Sequence, residues 1–439
     1  MSPDIAKNLR QILLFFLLSK GLVWGAMIFA FYGFTYHQEN HFGNKYYPYS
    51  AQISLRHIFQ TWDTNHYLYL AEKGYSSPFL RESLSQEIER HQRLLYYRKI
   101  EFLESQKNFS SAQQLQSSQI WADYEKKQQF LIYQLQKKER DILNSDAFPP
   151  AYPFLIAGVT FVTSCTSLVA AFFISNLFSF GVMILFFLLI ADEEGTAVAR
   201  CAVYSWMLYP YSFVFHIPYT ESLFLFVVLL GFYSFRKQAF WLSACCFGLL
   251  PLIRVLGILI LVPYGVALFK QNRSLFFLLF PLGGFICYLV TMFWFTGDPW
   301  IGFKAQEGFI SKHSGLRLFQ LGEWFRFTFL EWDFSYGFHP QQGSLDRVSF
   351  LLFLLWLLLA GSHLKKEWLF YILCYGAFPA FTSLGLMSYS RYVVSVFPLF
   401  LWLGKVLEKR PKTKTLFFIV GISGQIALAG RMGLNYWVA

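Results

Sequence analysis

The chain has 439 residues, of which 55% are hydrophobic and only 14% charged, whereas a soluble globular domain carries about a quarter charged residues. That excludes an ordinary water-soluble domain, and apolar runs that are continuous rather than alternating exclude a transmembrane β-barrel. The net charge of +11 does not point to nucleic acid, because outside 76–145 the basic residues sit mostly in short loops between apolar runs, where they set topology.

The expected architecture is an all-α polytopic membrane protein. The first run, 11-QILLFFLLSKGLVWGAMIFAFYGF-34, is too long for a signal-peptide core and has no small-residue cleavage site after it, so it reads as a retained span. Further spans are expected at 168–190, 201–217, 220–235, 240–253, 255–269, 274–295, 347–362, 368–386, 391–407 and 415–431. That makes about eleven crossings at the length a bilayer requires. The piece 148–167 breaks the alternation and reads as re-entrant or interfacial. The pair 240–253 and 255–269 is short and is expected to meet part-way, with Arg254 inside the protein.

Lys7 with Arg10, Arg236-Lys237, Lys270 with Arg273, Lys365-Lys366 and 408-EKRPKTK-414 flank apolar runs and are expected in the cytoplasm. The loops 35–147, around Pro218-Tyr219, 297–345 and 386–391 then face outward. The expected organisation is a cytoplasmic start and first helix (1–34), an external loop (35–75), a helical insert (76–145) and a multi-helix membrane region (146–439).

The insert is different in kind. It holds eleven Lys or Arg and nine Asp or Glu, with no glycine and no proline after Pro78. Strong helix formers with apolar residues every three or four positions predict an amphipathic hairpin breaking near 107-KNFSS-111. A solvated hairpin in an external loop is the simple reading, and contact with an acceptor or a partner protein is the alternative. The six cysteines match no zinc or redox spacing and read as small buried hydrophobes. No metal-ligand spacing, phosphate-binding glycine loop or nucleophile elbow is present. The cluster Asp192, Glu193 and Glu194 reads as a solvated cytoplasmic loop.

Charges in or near hydrocarbon need a partner or a task. Asp63, in 59-FQTWDTNHYLYLAEKGY-75, stands between Trp62 and His66. It is either a general base, made a better proton acceptor by its aromatic wall, or a solvated helix-start aspartate. Glu221, in 217-IPYTES-222 beside Tyr219, suits a helix N-terminus. Arg254 interrupts an apolar run between Pro251 and Gly257 and must meet an anion, either a protein carboxylate or a lipid phosphate. Arg391, between Tyr389 and Tyr392, is either a snorkelling interfacial residue or a second phosphate clamp.

These motifs resemble those of the GPI mannosyltransferase II (PIG-V-like) family of the GT-C superfamily, polytopic glycosyltransferases that use polyprenyl-phosphate sugars. The stretches 62-WDTNHYLYLAEKGY-75, 147-AFPPAYPFLI-156, 218-PYTESLF-224, 251-PLIRVLG-257, 297-GDPW-300 with 304-KAQ-306, 390-SRYVVSVFPLF-400 and 436-YWVA-439 are similar to that family's signatures and follow its order. The chain departs from the pattern in its long insert 76–145, in Pro149-Pro150, and over 308–345.

The resemblance implies a GT-C-like membrane fold and an inverting transfer of a mannosyl or other hexosyl residue to a lipid or glycan acceptor on the external face. It implies Asp63 as the base and Arg254 and Arg391 as contacts to the donor phosphate. Glu221 would order the loop or contact the sugar, and His66 would orient Asp63 or the acceptor. Trp62, Tyr219 and Tyr392 would support the site. Neither a metal nor another cofactor is called for, because a carboxylate and two arginines supply base and charge neutralisation. The insert and short loops are unlike the eukaryotic members, which points to a prokaryotic inner membrane. A GT-C enzyme using another polyprenyl-linked sugar is the nearest alternative. A transporter or flippase is the alternative of another class, although paired broken helices and internal repeats are not visible.

Overall fold

The computed structural model describes residues 3–37, 53–107, 110–308, 320–332, 343–382 and 386–438. Helices, joined by short 3₁₀ and π turns, are the only regular elements among them. Much of the expected external loop 297–345 lies outside the described residues, as does Ala439.

The chain opens with α1 (Pro3–Gly33), which packs along the last helix, α19 (Pro411–Gly433). Lys20, inside α1, is buried and donates to Ser179 Oγ at 3.1 Å and to the Phe215 carbonyl at 2.6 Å. A short helix, α2 (Asp63–Lys73), begins after Trp62, whose φ of 46° is left-handed and turns the chain sharply into the helix.

The insert is two helices, α3 (Pro78–Gln106) and α4 (Ser111–Ser145), separated at 107–110. They pair through Phe102 stacked on Trp121 at 5.0 Å and Lys99 beside Glu125 at 3.5 Å. Where the insert leaves the body its two ends meet: Asp146 accepts from the Ser76 amide at 3.0 Å and from the Ser76 hydroxyl. Burial raises the Asp146 carboxyl above its ordinary range, against those hydrogen bonds. Arg81 donates to the Thr296 carbonyl, tying α3 to the membrane region.

Next come α5 (Ala151–Thr163), α6 (Ser167–Glu194), α7 (Thr196–Met207), α8 (Glu221–Arg236) and α9 (Phe240–Ile253). The aromatic side chains Phe186, Phe187, Trp206, Phe213 and Phe215 are all but fully buried between them. Pro251 lies in the last turn of α9, and Arg254 leaves the helix with extended backbone (φ −145°, ψ 131°). The chain folds back at once, and at Gly257 any side chain would strike the Leu250 backbone. A 3₁₀ turn leads to α10 (Leu261–Lys270) and then α11 (Leu279–Thr296). α9 and α11 touch backbone to backbone, with no room for a side chain on Gly284 against Gly248.

The remaining helices are α12 (Ile301–Gly308), α13 (Leu321–Phe325), α14 (Ser344–Ala360), α15 (Lys366–Ile372), α16 (Phe378–Thr382), α17 (Tyr389–Val393) and α18 (Phe397–Glu408).

Five helical stretches among the described residues are long and apolar enough to cross a membrane: 5–33, 167–194, 275–296, 344–363 and 411–433. A sixth arises if 210–216 and α8, bent by 94°, count together. The other expected crossings map onto shorter or interrupted pieces. The run 201–217 divides between α7 and a 3₁₀ turn at Pro210–His216. The run 368–386 becomes α15, a π turn and α16. The run 391–407 breaks between α17 and α18, ahead of Pro398 at a helix start. Proline and glycine interrupt the backbone ladder without lowering hydropathy, so the sequence reads as longer spans than the fold contains.

Two expectations are corrected. Asp192, Glu193 and Glu194 do not form a loop; they end α6, with Asp192 exposed as expected and the Glu193 side chain buried. Acids at a helix C-terminus are unfavourable against its dipole, and here basic partners offset them. Asp192 pairs with Lys237 at 2.6 Å, Glu193 with Arg236 and with Lys365 at 3.2 Å, and Glu194 with Lys405 at 2.8 Å. The cysteines are not all buried: Cys245 and Cys287 are exposed on the apolar surface.

Candidate active site

The site forms where α2 docks on the segment leading into α8. Thr64 Oγ1 donates to the Pro218 carbonyl at 3.3 Å, and the Tyr67 and Thr220 hydroxyls lie 3.1 Å apart. The Tyr219 carbonyl accepts from Ser175 at 3.0 Å, which fixes the same segment to α6. These bonds bring the first residue of α2, Asp63, beside the first residue of α8, Glu221.

The two arginines arrive from distant sequence. Arg391 rides on α17, which is pinned from α14: Asp346 Oδ1 accepts from the Ser390 amide at 2.8 Å and from its hydroxyl at 2.7 Å. Arg254 sits at the break after α9. Arg391 Nη1 donates to Asp63 Oδ2 at 2.7 Å, while its Nε lies 3.1 Å from Glu221 Oε1 without hydrogen-bond alignment. Arg254 Nη1 donates to the same Glu221 oxygen at 3.3 Å. Four charges thus form one chain, Asp63–Arg391–Glu221–Arg254, whose formal sum is zero.

Burial differs sharply along this chain. The Glu221 side chain is 1% exposed, that of Arg391 10%, and that of Asp63 21%. A buried ion pair holds only where attraction and hydrogen bonds offset desolvation. Here Tyr219 lies under Arg391 (5.1 Å) and Tyr392 under Arg254 (5.3 Å), adding cation–π support. Polar capacity is nevertheless left over. Glu221 Oε2, the Tyr219 hydroxyl and Trp62 Nε1 are buried without a hydrogen bond.

Asp63, Arg254, Arg391 and Tyr392 all line a cavity of about 390 Å³. Its remaining wall is largely apolar, with Phe148, Leu256, Phe285, Phe378 and Trp437, and Gln306 and Glu307 add polar atoms on the α12 side. Glu221 and Tyr219 stand behind the cavity rather than on it. Trp62 packs edge-on against Trp437 at 4.7 Å, supporting the wall.

His66 lies one turn along α2, buried, with its ring stacked on Phe148 at 4.7 Å. Its Nδ1 is 2.9 Å from Ser145 Oγ, and that hydroxyl donates to the Asp141 carbonyl, so Nδ1–H is the donor in the pair. The last residue of the insert therefore touches the helix that carries Asp63.

Burial lowers the His66 pKa from 6.5 to about 4, against the opposing field of Asp63. The native state keeps the ring neutral, whereas the unfolded chain takes up a proton below pH 6.5. His66 therefore stabilises the fold fully above pH 6.5, and that contribution is lost as pH falls to about 4. The loss amounts to roughly 3 kcal/mol. Denaturant titrations of wild type and His66→Gln at a series of pH values should differ by this slope; parallel curves would contradict the assignment.

The sequence pointed to Asp63, Arg254 and Arg391, and the fold brings these three to one cavity. It did not point to Asp346 or to the cavity residues Glu307 and Trp437 as partners of the site. Asp346 could have been flagged as an acid at the start of an apolar run, 344-SLDRVSF-350. Among the described residues, no group of three or more His, Cys, Asp or Glu is placed to hold a metal ion. No family model, curated protein or solved structure matches the chain.

Proposed function

We propose that this protein is an integral-membrane glycosyltransferase that moves a mannosyl or related hexosyl residue from a polyprenyl-phosphate sugar to a hydroxyl of a lipid or glycan acceptor. One observation carries the reading: a carboxylate and two guanidiniums share the wall of an otherwise apolar cavity in a membrane protein. An isoprenoid chain suits the apolar wall, its phosphate suits the arginines, and the sugar then lies beside Asp63.

In this mechanism the acceptor oxygen attacks the anomeric carbon and forms the new C–O bond as its proton passes to Asp63. The bond from that carbon to the phosphate oxygen breaks, and polyprenyl phosphate leaves with the electron pair. Arg254 and Arg391 stabilise the departing anion, which is the larger requirement for a phosphate leaving group. Attack opposite the phosphate inverts the anomeric centre. Glu221 holds both arginines in place from behind.

The eleven crossings would be completed by the shorter helices, with α9 and α10 meeting part-way. The site would then face the outer side of an inner membrane. In support of that side, α8 runs from Glu221 at the site to Arg236 in the basic cluster, about 24 Å away at helical rise. Basic clusters mark the cytoplasmic face.

The test is transfer by purified protein from a synthetic polyprenyl-phosphate mannose to a lipid extract, read by mass spectrometry of new glycolipids. Arg254→Ala should weaken donor affinity about tenfold while the protein remains folded by thermal unfolding. Unchanged donor affinity in that variant would remove Arg254 from the phosphate site.

A further inference from the structure

We infer that the Arg391–Asp63 pair latches the site, and that the donor's own phosphate opens it by taking Arg391 away from Asp63. This rests on the transferase reading above. The bond to be exchanged is the one from Arg391 Nη1 to Asp63 Oδ2, at 2.7 Å. While it stands, the base presents an oxygen already occupied by a guanidinium, and the arginine's charge is spent on the protein rather than on a ligand.

The two acids that hold Arg391 are not equivalent. Glu221 is out of reach of any ligand, being 1% exposed and absent from the cavity wall. Asp63 is on the wall. Glu221 is therefore the fixed partner and Asp63 the exchangeable one.

Arg391 also has unspent capacity, since its Nε is buried without an aligned acceptor. Arg254, which lines the cavity and converges on the same Glu221 oxygen, supplies a second guanidinium at the spot where an anion would enter. A phosphate seated there competes with Asp63 for Arg391. Its arrival frees the carboxylate to accept a proton only when a sugar donor is present, so an acceptor hydroxyl or water is not activated in its absence. The order of binding is thereby set as donor first.

The latch makes an unusual prediction: removing the catalytic acid should improve donor binding. Farnesyl phosphate, titrated calorimetrically into the protein in nanodiscs, should bind Asp63→Asn about tenfold more tightly than wild type, the effect of replacing one charge-assisted hydrogen bond by a neutral one. Arg391→Ala should bind it at least tenfold more weakly. In the double variant the gain from Asp63→Asn should vanish, because no arginine remains to be released. An equal gain with and without Arg391 would mean a general field effect and would overturn the latch.

If Arg391→Ala does not fold, Arg391→Lys serves in the cycle, since it keeps the charge but loses the fork of donors. Infrared difference spectra of wild type then give a second reading. A carboxylate band that shifts when farnesyl phosphate is added, and is missing in Asp63→Asn, is expected; no such band contradicts the exchange. Wild type that binds no farnesyl phosphate defeats the transferase reading itself. Wild type and Asp63→Asn binding it equally defeats the latch alone.

Discussion

If the proposed transfer is correct, Asp63→Asn should slow it by about a thousandfold while leaving the protein folded and able to bind its donor. A positioned general base contributes about two to four powers of ten. Asparagine keeps the shape and the acceptor oxygen, so Arg391 retains a neutral partner, yet it cannot take up the acceptor's proton. The loss should appear in kcat, because in the proposed mechanism the carboxylate acts on the attacking hydroxyl rather than on the donor chain. Single-turnover assays with pre-bound donor separate the two quantities. A variant that turns over at the wild-type rate removes Asp63 from the mechanism. Retained fold is expected because Asp63 lies on a cavity wall with its side chain 21% exposed, where a lost charge is tolerated better than in the interior.

Glu221→Gln has the largest expected effect on stability. The carboxylate stands between two guanidiniums and is almost wholly buried. Removing its charge leaves Arg254 and Arg391 facing one another with only Asp63 to balance them. Breaking a buried ion pair on one side costs about 3–5 kcal/mol, far more than replacing the whole pair by apolar groups. The ordering of variants is therefore the informative part. Glu221→Gln should unfold at clearly lower denaturant than wild type, and the double variant Glu221→Leu with Arg254→Met should recover part of the loss. Unfolding of Glu221→Gln at the wild-type midpoint would show that the four charges do not act as one network. Transfer by the double variant should still fail, since it lacks the proposed phosphate contact of Arg254.

Much of this site is legible because charge is rare in the chain. Arg254 in 248-GLLPLIRVLG-257 and Arg391 in 388-SYSRYVVSVFPLF-400 interrupt apolar sequence, and a guanidinium there requires an anion. What the sequence does not carry is which anion. Arg254 faces Glu221 across 33 positions, and Arg391 faces Asp63 across 328. Pairings of that separation follow from how helices pack and leave no local trace.

Glu221 illustrates the limit. Its place at the start of a helix is readable from Pro218 and Tyr219, and it does occupy that position. Its role as the common partner of both arginines depends on the break at Arg254 and on the short helix carrying Arg391. Lys20 shows the same limit from the other side. It sits inside a run that reads simply as a span, yet it is buried and bonded to Ser179 and the Phe215 carbonyl. The helical character of the described residues follows from composition and continuous apolar runs. The helix lengths do not, because Pro251, Gly257 and Pro398 divide runs whose hydropathy stays high.

The proposed function requires the cavity beside Asp63 to receive a polyprenyl-phosphate donor, and an electron cryo-microscopy structure of the protein in nanodiscs with farnesyl phosphate tests this. The phosphate should lie within hydrogen-bond distance of both Arg254 and Arg391, with Arg391 turned away from Asp63 and the prenyl chain along Phe285 and Phe378. A lipid phosphate bound elsewhere, with this cavity empty and the Asp63–Arg391 pair intact, would contradict it.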